Sequence, residues 1–278
     1  MKTRDQYKQA AIEQWTADPC GSTVVEDVPG SDSYFRRLLR ARADYAPWMA
    51  EVLDYEGADG LEVLDIGSGQ GIDLARYALA GARVTGVDLT PRHVTLARAH
   101  LAGMGLDAAV IEGDAEQLPF PDATFDRVSS NGVLHHTPDL PCALREAQRV
   151  LRPGGRATII LYNRQSLHYW INQVLVEGLV RGGLRREGSM EGVLSSGVEH
   201  TSIDARPLVR VYTPRQAKRL MVQAGFGDAR VVVRHFQPGD TFVTSYLAKR
   251  IPALGSAALM DRLGRMVGWY VVAYGRKT

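Results

Sequence analysis

Between Val63 and Ala78 the chain reads VLDIGSGQGIDLARYA. The apolar run Val63–Ile66 ends in three glycines at alternate positions, Gly67, Gly69 and Gly71. Ile72, Leu74, Ala75 and Ala78 then recur at the spacing of one helix face. A buried strand that breaks into glycines and re-enters as a helix narrows the fold to an α/β sheet with a ligand crevice at that turn. Glycine lets backbone N–H groups approach a ligand without a Cβ clash. A P-loop needs the lysine of GxxxxGK[ST], which this stretch lacks. A dinucleotide turn needs GxGxxG, and Ile72 stands where the third glycine would fall. The register is GxGxG, with Asp65 two residues ahead of it.

The alternation continues downstream. ARVTGVDLT, AAVIEGDA, FDRVSSN and RATIILYN read as strands. GIDLARYALAG, PRHVTLARAHLAGMG and DLPCALREAQRVL read as helices, the second opened by Pro91 in its first turn. Strands separated by helices imply a parallel, doubly wound sheet. Ahead of it, residues 5–16 predict a short helix, and residues 33–56 one or two helices interrupted at Pro47. From Arg164 to Val211 the rhythm breaks. QSLHYWINQVLVEGLV reads as an apolar helix and RGGLRREGSMEGVLSSG as a glycine-rich loop. The helix TPRQAKRLMVQAG, with Thr213 as N-cap and Pro214 at N1, resumes the pattern. DARVVVRHF and GWYVVAYGRK supply two more strands. The chain therefore divides into an N-terminal helical segment (1–58), a core (59–163), an inserted cap (164–211) and a C-terminal part of the core (212–278) with a helical excursion at 238–267.

Composition excludes several classes. Among 278 residues, 33 basic and 31 acidic side chains leave a net charge of +2, which gives no global reason to expect nucleic acid. No apolar run approaches the roughly 20 residues of a membrane span. The N-terminus lacks the apolar core of a signal peptide. Cys20 and Cys142 are too few and too far apart for a disulfide framework, so a cytoplasmic setting is expected, and both read as packing residues.

The motif LDIGSGQG resembles motif I of class I S-adenosylmethionine-dependent methyltransferases. VTGVDLT, IEGDAEQLPFPDATFD, SNGVLHHTPD and RVLRPGGRATI follow in the order and spacing of the ubiquinone/menaquinone-type, or type 11, small-molecule family. The resemblance covers residues 60–162, and 213–278 more loosely. It implies a Rossmann-like seven-stranded sheet, S-adenosyl-L-methionine as cofactor and S-adenosyl-L-homocysteine as product. It assigns the cofactor to Asp65, Gly67, Ser68, Gly69, Asp88, Leu89, Asp114, Ala115 and Asn131. In that assignment Asp65 supports the methionine end and Asn131 lies near it. Asp88 accepts from the ribose hydroxyls, at roughly 1.5–3 kcal/mol per charge-assisted bond. Asp114 accepts from the adenine amine, with the Ala115 N–H at the ring edge. Asp73 is read as a first-turn residue favoured by the helix dipole, without a cofactor role.

The acceptor side is less defined. His135 and His136 are adjacent, and adjacent side chains diverge on a helix or strand, so no metal site is expected. His136 is read as structural, and His135 and His200 as candidate general bases. Tyr7 and Trp15 on the first helix, with His200, Asp204, Arg210 and Tyr212 in SSGVEHTSIDARPLVRVYT, are candidate substrate contacts, His200 and Asp204 forming a proton relay. The bland reading of that stretch is a solvated connector. The apolar run LHYWINQVLVEGLV suits a partly hydrophobic substrate or a homodimer face. The sequence SNGV stands where nucleobase amine methylases carry [DNS]PP[YFW], so nucleic acid is not the expected substrate. The expected activity is methylation of a small molecule at O, C or N. The alternatives are a cofactor-binding relative with other chemistry and a degenerate binding or regulatory protein.

Overall fold

The computed structural model describes residues 2–22, 26–199, 202–251 and 255–278. Three helices come first: α1 (Arg4–Ala17), α2 (Asp32–Tyr45) and α3 (Met49–Leu53). The alternation follows as β1 (Glu62–Ile66), α4 (Ile72–Leu79), β2 (Arg83–Asp88), α5 (Pro91–Gly103), β3 (Ala108–Glu112), β4 (Phe125–Asn131), α6 (Leu140–Val150) and β5 (Leu151–Tyr162). A π-helix (His168–Val180) leads to α7 (Gly183–Glu187) and α8 (Met190–Gly197). The chain ends with α9 (Pro214–Gln223), β6 (Phe226–Arg234), α10 (Phe242–Arg250), α11 (Ala257–Val267) and β7 (Tyr270–Lys277).

Among the described residues one sheet holds all seven strands, in the order β3-β2-β1-β4-β5-β7-β6. β3, β2, β1, β4 and β5 run parallel, and β7 lies antiparallel between β5 and β6. The strand order reverses between β1 and β4, which opens a crevice at their C-terminal ends. The period-2 pattern divides each strand between two cores. Val63 joins the core under α4 and α5, whereas Leu64 and Ile66 join the core under α6 and α9. In α6 the buried Leu140, Ala143, Leu144, Ala147 and Val150 recur at helical spacing, which turns one apolar stripe onto the sheet.

Local signals set the helix ends. Thr3 and Thr213 each form a capping box with the glutamine three residues on, Gln6 and Gln216, at the starts of α1 and α9. Pro47 falls in the break between α2 and α3, as expected. The stretch 181–197, read from its glycines as a loop, instead carries α7 and α8. Gly182 and Gly188 bracket α7 at φ near +70°, and Ser189 caps α8 by accepting from the Gly192 N–H. These glycines are helix boundaries and do not mark an irregular segment. The apolar π-helix turns Tyr169, Gln173 and Gly178 inward and leaves Trp170, Leu175, Leu179 and Val180 exposed. No helix among the described residues is long and apolar enough to cross a membrane.

The edge where β6 meets α11 carries a pH-sensitive group. His235 is buried against Tyr45, Trp48 and Tyr270, and its Nδ1 accepts from the Trp48 indole N–H. Burial, then the neighbouring His168, pushes it down from 6.5 to about 4. A histidine depressed on folding contributes stability that is present above its unfolded value of about 6.5 and is lost as the pH falls towards 4. His100, His135 and His168 shift the same way. Denaturation midpoints measured at pH 7 and pH 5 should therefore differ, with the acid value lower. His235→Asn keeps a residue tolerant of the φ of +72° and should reduce that difference.

Candidate active site

The turn from β1 into α4 is built from three left-handed residues. Gly67, Gly69 and Gly71 have φ of +74°, +52° and +78°. The Gly67 and Ser68 N–H groups both donate to the Val87 carbonyl, which ties the turn to the end of β2. A Cβ at Gly67 would fall 2.3 Å from Val133, so only glycine fits. At Gly69 and Gly132 a Cβ would meet nothing within 4 Å, so bare backbone borders open space there.

That space is a cavity of about 1160 Å³ including its mouth, at the C-terminal ends of β1, β2 and β4. Gly67, Ser68, Gly69, Asp88, Leu89, Asp114, Ala115 and Asn131 all line it. Asp88 is held from three sides. Its Oδ2 accepts from the Gly69 N–H (2.8 Å), and its Oδ1 from the Thr90 N–H (2.9 Å) and His93 Nδ1 (3.2 Å). The Cys20 N–H donates to His93 Nε2, which places the ring proton on Nδ1. Burial disfavours the Asp88 charge, yet His93 and the two amides outweigh it and hold the carboxyl below its usual value. Asp114 accepts from the Glu116 N–H and from Lys8 Nζ at 2.5 Å, and Lys8 also reaches Glu116. The first helix is thereby tied across the cavity by an ion-pair cluster.

Asp65 does not reach the cavity. It points into the sheet, buried, and accepts from Ser129 Oγ at 2.7 Å. Burial, and then the like charge of Asp73, raise its pKa. Asp73, read from sequence as a dipole-favoured first-turn residue without a cofactor role, lines the cavity. The Tyr55 hydroxyl (2.7 Å) and Asn131 Nδ2 (2.9 Å) donate to its two oxygens. Arg42 from α2 also faces this space. Burial works against its charge, but Asp73 together with Cys20, Tyr270 and Tyr55 outweighs it, and the guanidinium stays charged. The available sequence signal for Asp73 was an acid interrupting the apolar face of α4 two residues after the last glycine. Arg42, Gln70, Cys20, Tyr162 and Glu199 also line the cavity and carried no periodic signal.

Among the acceptor-side candidates, Trp15 lines the cavity, set edge-on to His136 and stacked near His93. Tyr7 and Arg210 meet at Glu191, outside the cavity lining: the Tyr7 hydroxyl and Arg210 Nε each lie 3.2 Å from its carboxylate. Asp204 is exposed and pairs with Arg206 at 2.6 Å. Tyr212 packs on the α6–α9 core, and its backbone bridges to Asn163. His200 lies outside the described residues, so its relay with Asp204 does too. The two adjacent histidines exchange their expected places. His136 lines the cavity with Nδ1 donating to the Leu208 carbonyl (2.6 Å), and His135 is sealed behind it against Tyr162. A single 3-10 turn, Leu134–His136, brings the two rings together, tilted by 49°, where a helix or strand would have splayed them.

The family described as "Methyltransferase domain" matches residues 64–159, the stretch that forms the glycine turn and the crevice. The chain is 44% identical over 104 residues to a 27-O-demethylrifamycin SV methyltransferase of Amycolatopsis mediterranei, spanning 36% of this chain and 38% of that one. A 37.1 kDa protein of a Streptomyces fradiae transposon, itself uncharacterised, is 38% identical over 249 residues, spanning 87% of this chain and 69% of the relative. Matched stretches span 31–42% of the length of the named methyltransferases it resembles. A methyltransferase structure from Mesorhizobium loti aligns over 84% of this chain and 99% of that one, with a TM-score of 0.56 and 21% identity, a likeness of fold. The fold and crevice are those of a class I S-adenosylmethionine-dependent methyltransferase. Residues 64–159, about a third of the chain, match the type 11 methyltransferase domain.

The residues present fit the methyl donor that the family implies: an open glycine backbone, a carboxylate at the end of β2 and another after β3, all facing one cavity. Asp88→Ala should weaken S-adenosylhomocysteine binding at least about tenfold, roughly 1.4 kcal/mol. Calorimetric titration of the variant beside the parent chain checks this, and an unchanged Kd would remove Asp88 from the cofactor's contacts.

Proposed function

We propose that the chain transfers a methyl group from S-adenosylmethionine to a small, partly hydrophobic acceptor in the cytoplasm. One observation carries the reading. The glycine turn and Asp88 open onto the same cavity as an aromatic wall of Trp15, Tyr162 and His136. Bound S-adenosylmethionine supplies a methyl group activated for in-line displacement. Gly67–Gly69, Asp88 and Asp114 hold the nucleoside end, and Asp73 with Asn131 offers polar contacts to the amino-acid end. Ala11 and Trp15 of α1 line the cavity from the N-terminal side. In this reading most of the rate comes from fixing the acceptor atom at the methyl carbon, opposite the leaving sulfur.

The aromatic wall supports an acceptor with hydrophobic surface, and relatives are named as a sterol 4-C-methyltransferase, a 2-methyl-6-phytyl-1,4-hydroquinone methyltransferase and a 27-O-demethylrifamycin SV methyltransferase. His135, buried behind Tyr162, does not face an acceptor, so the group that receives a proton is sought on the cavity wall. A panel of hydroquinones, sterols and polyketide phenols, incubated with methyl-labelled cofactor, tests the reading. The expected outcome is labelled product together with S-adenosylhomocysteine, formed only when the acceptor is present and lost with Asp88→Ala. Tight cofactor binding, an acceptor altered in structure and no label transferred would favour a relative with other chemistry.

A further inference from the structure

Three metal-ligating side chains converge on the cavity wall. His135 and His136 share the 3-10 turn after β4, their ring centroids 4.1 Å apart. Glu199, just beyond α8, reaches the same point. One ligand atom from each lies within 4.8 Å of the others.

Two observations indicate what belongs between them. His136 Nδ1 lies 2.6 Å from the Leu208 carbonyl oxygen, which can only accept, so Nδ1 carries the proton. In the neutral ring Nε2 then presents a lone pair, and it faces Glu199 Oε1 at 3.5 Å. Two acceptors facing each other need a positive charge between them. A ring whose other nitrogen is fixed by a backbone carbonyl is also the usual arrangement of a metal-ligating histidine. Independently, His135 is fully buried, and neither of its ring nitrogens has a hydrogen-bond partner among the described residues. Such groups are costly unless something satisfies them. The Tyr162 hydroxyl donates to Glu199 Oε1 at 2.9 Å, which orients the carboxylate from behind.

We propose that His135, His136 and Glu199 form a site for a divalent cation of the zinc class. Two imidazoles and one carboxylate are a donor set that leaves a coordination position free. Ligand atoms about 2.1 Å from a tetrahedral cation lie about 3.4 Å apart, close to the 3.5 Å between His136 Nε2 and Glu199 Oε1, so the trio, now within 4.8 Å, has to draw in by at most about 1.4 Å. His136 and Glu199 line the cavity, so the free position opens towards it. An acceptor hydroxyl bound there would lose its proton more easily. That consequence rests on the methyl-transfer reading, whereas the cation site itself does not.

The test uses the tag-free full chain, stripped with a chelator and dialysed. Calorimetric titration with zinc chloride should show one site per chain. Cobalt chloride should give the visible absorption bands of a low-coordinate nitrogen and oxygen set. His136→Gln and Glu199→Gln should each weaken zinc at least about tenfold, in proteins whose thermal melting shows a cooperative fold. Absence of zinc binding in a chain that binds S-adenosylhomocysteine would overturn the site, as would zinc binding untouched by both substitutions. A shared proton would then account for the contact between His136 and Glu199. Zinc binding without S-adenosylhomocysteine binding would support the cation site and sink the methyl-transfer reading.

Discussion

The turn between Ile66 and Ile72 holds three left-handed residues in five positions, a geometry that side chains with a Cβ resist and glycine adopts freely. Its first two amides hang from the Val87 carbonyl and its third from Asp88. β1, β2 and α4 are thus fixed to one another by a few backbone bonds in a segment with almost no side chain. The crevice depends on this. At the point where the strand order reverses, a Cβ would fill the gap at Gly69 and collide with Val133 at Gly67. Ile72 and Asp73, the first residues of the helix that follows, line the same opening.

Around that turn the chain buries an unusual number of acids. Asp65, Asp73 and Asp88 are all largely withdrawn from solvent. Each is handled differently. Asp88 is surrounded by donors and kept ionised. Asp65 has one hydroxyl partner and is pushed towards its neutral form by burial and by Asp73. Asp73 has Tyr55, Asn131 and the charge of Arg42. Carboxylates in one dry region are tolerated only when each has its own donors. The helices before the sheet supply several of these: Arg42 comes from α2, and Lys8 of α1 reaches Asp114. The N-terminal segment is therefore part of the electrostatic structure of the cavity as well as its cover.

The strands were legible as short apolar runs between turn residues, and α4, α6 and α9 because each writes its burial into a period of 3.6. Pro91, Thr213 and Pro214 marked helix starts for reasons confined to a single turn. Misreadings occurred where a residue's meaning depends on distant chain. The glycines of 181–197 look like a loop until the left-handed caps of α7 are seen. His135 and His136 diverge on an α-helix or a strand, and the 3-10 turn brings their ring centroids within 4.1 Å.

The sequence by itself determined the class of fold, the glycine turn and the acids at the ends of β2 and β3, because strand, turn and helix are set by neighbours within a few residues. Tertiary structure alone decided which acid faces the cavity. Asp65 and Asp73 are eight positions apart across the turn, and their roles depend on Ser129, Tyr55 and Asn131, brought in from β4 and the α3–β1 connection. It also decided that Glu199 meets His136 and that Lys8 meets Asp114. Those pairs are separated by tens of residues to more than a hundred. No local period records such contacts, because they form only when the whole sheet has brought its edges together.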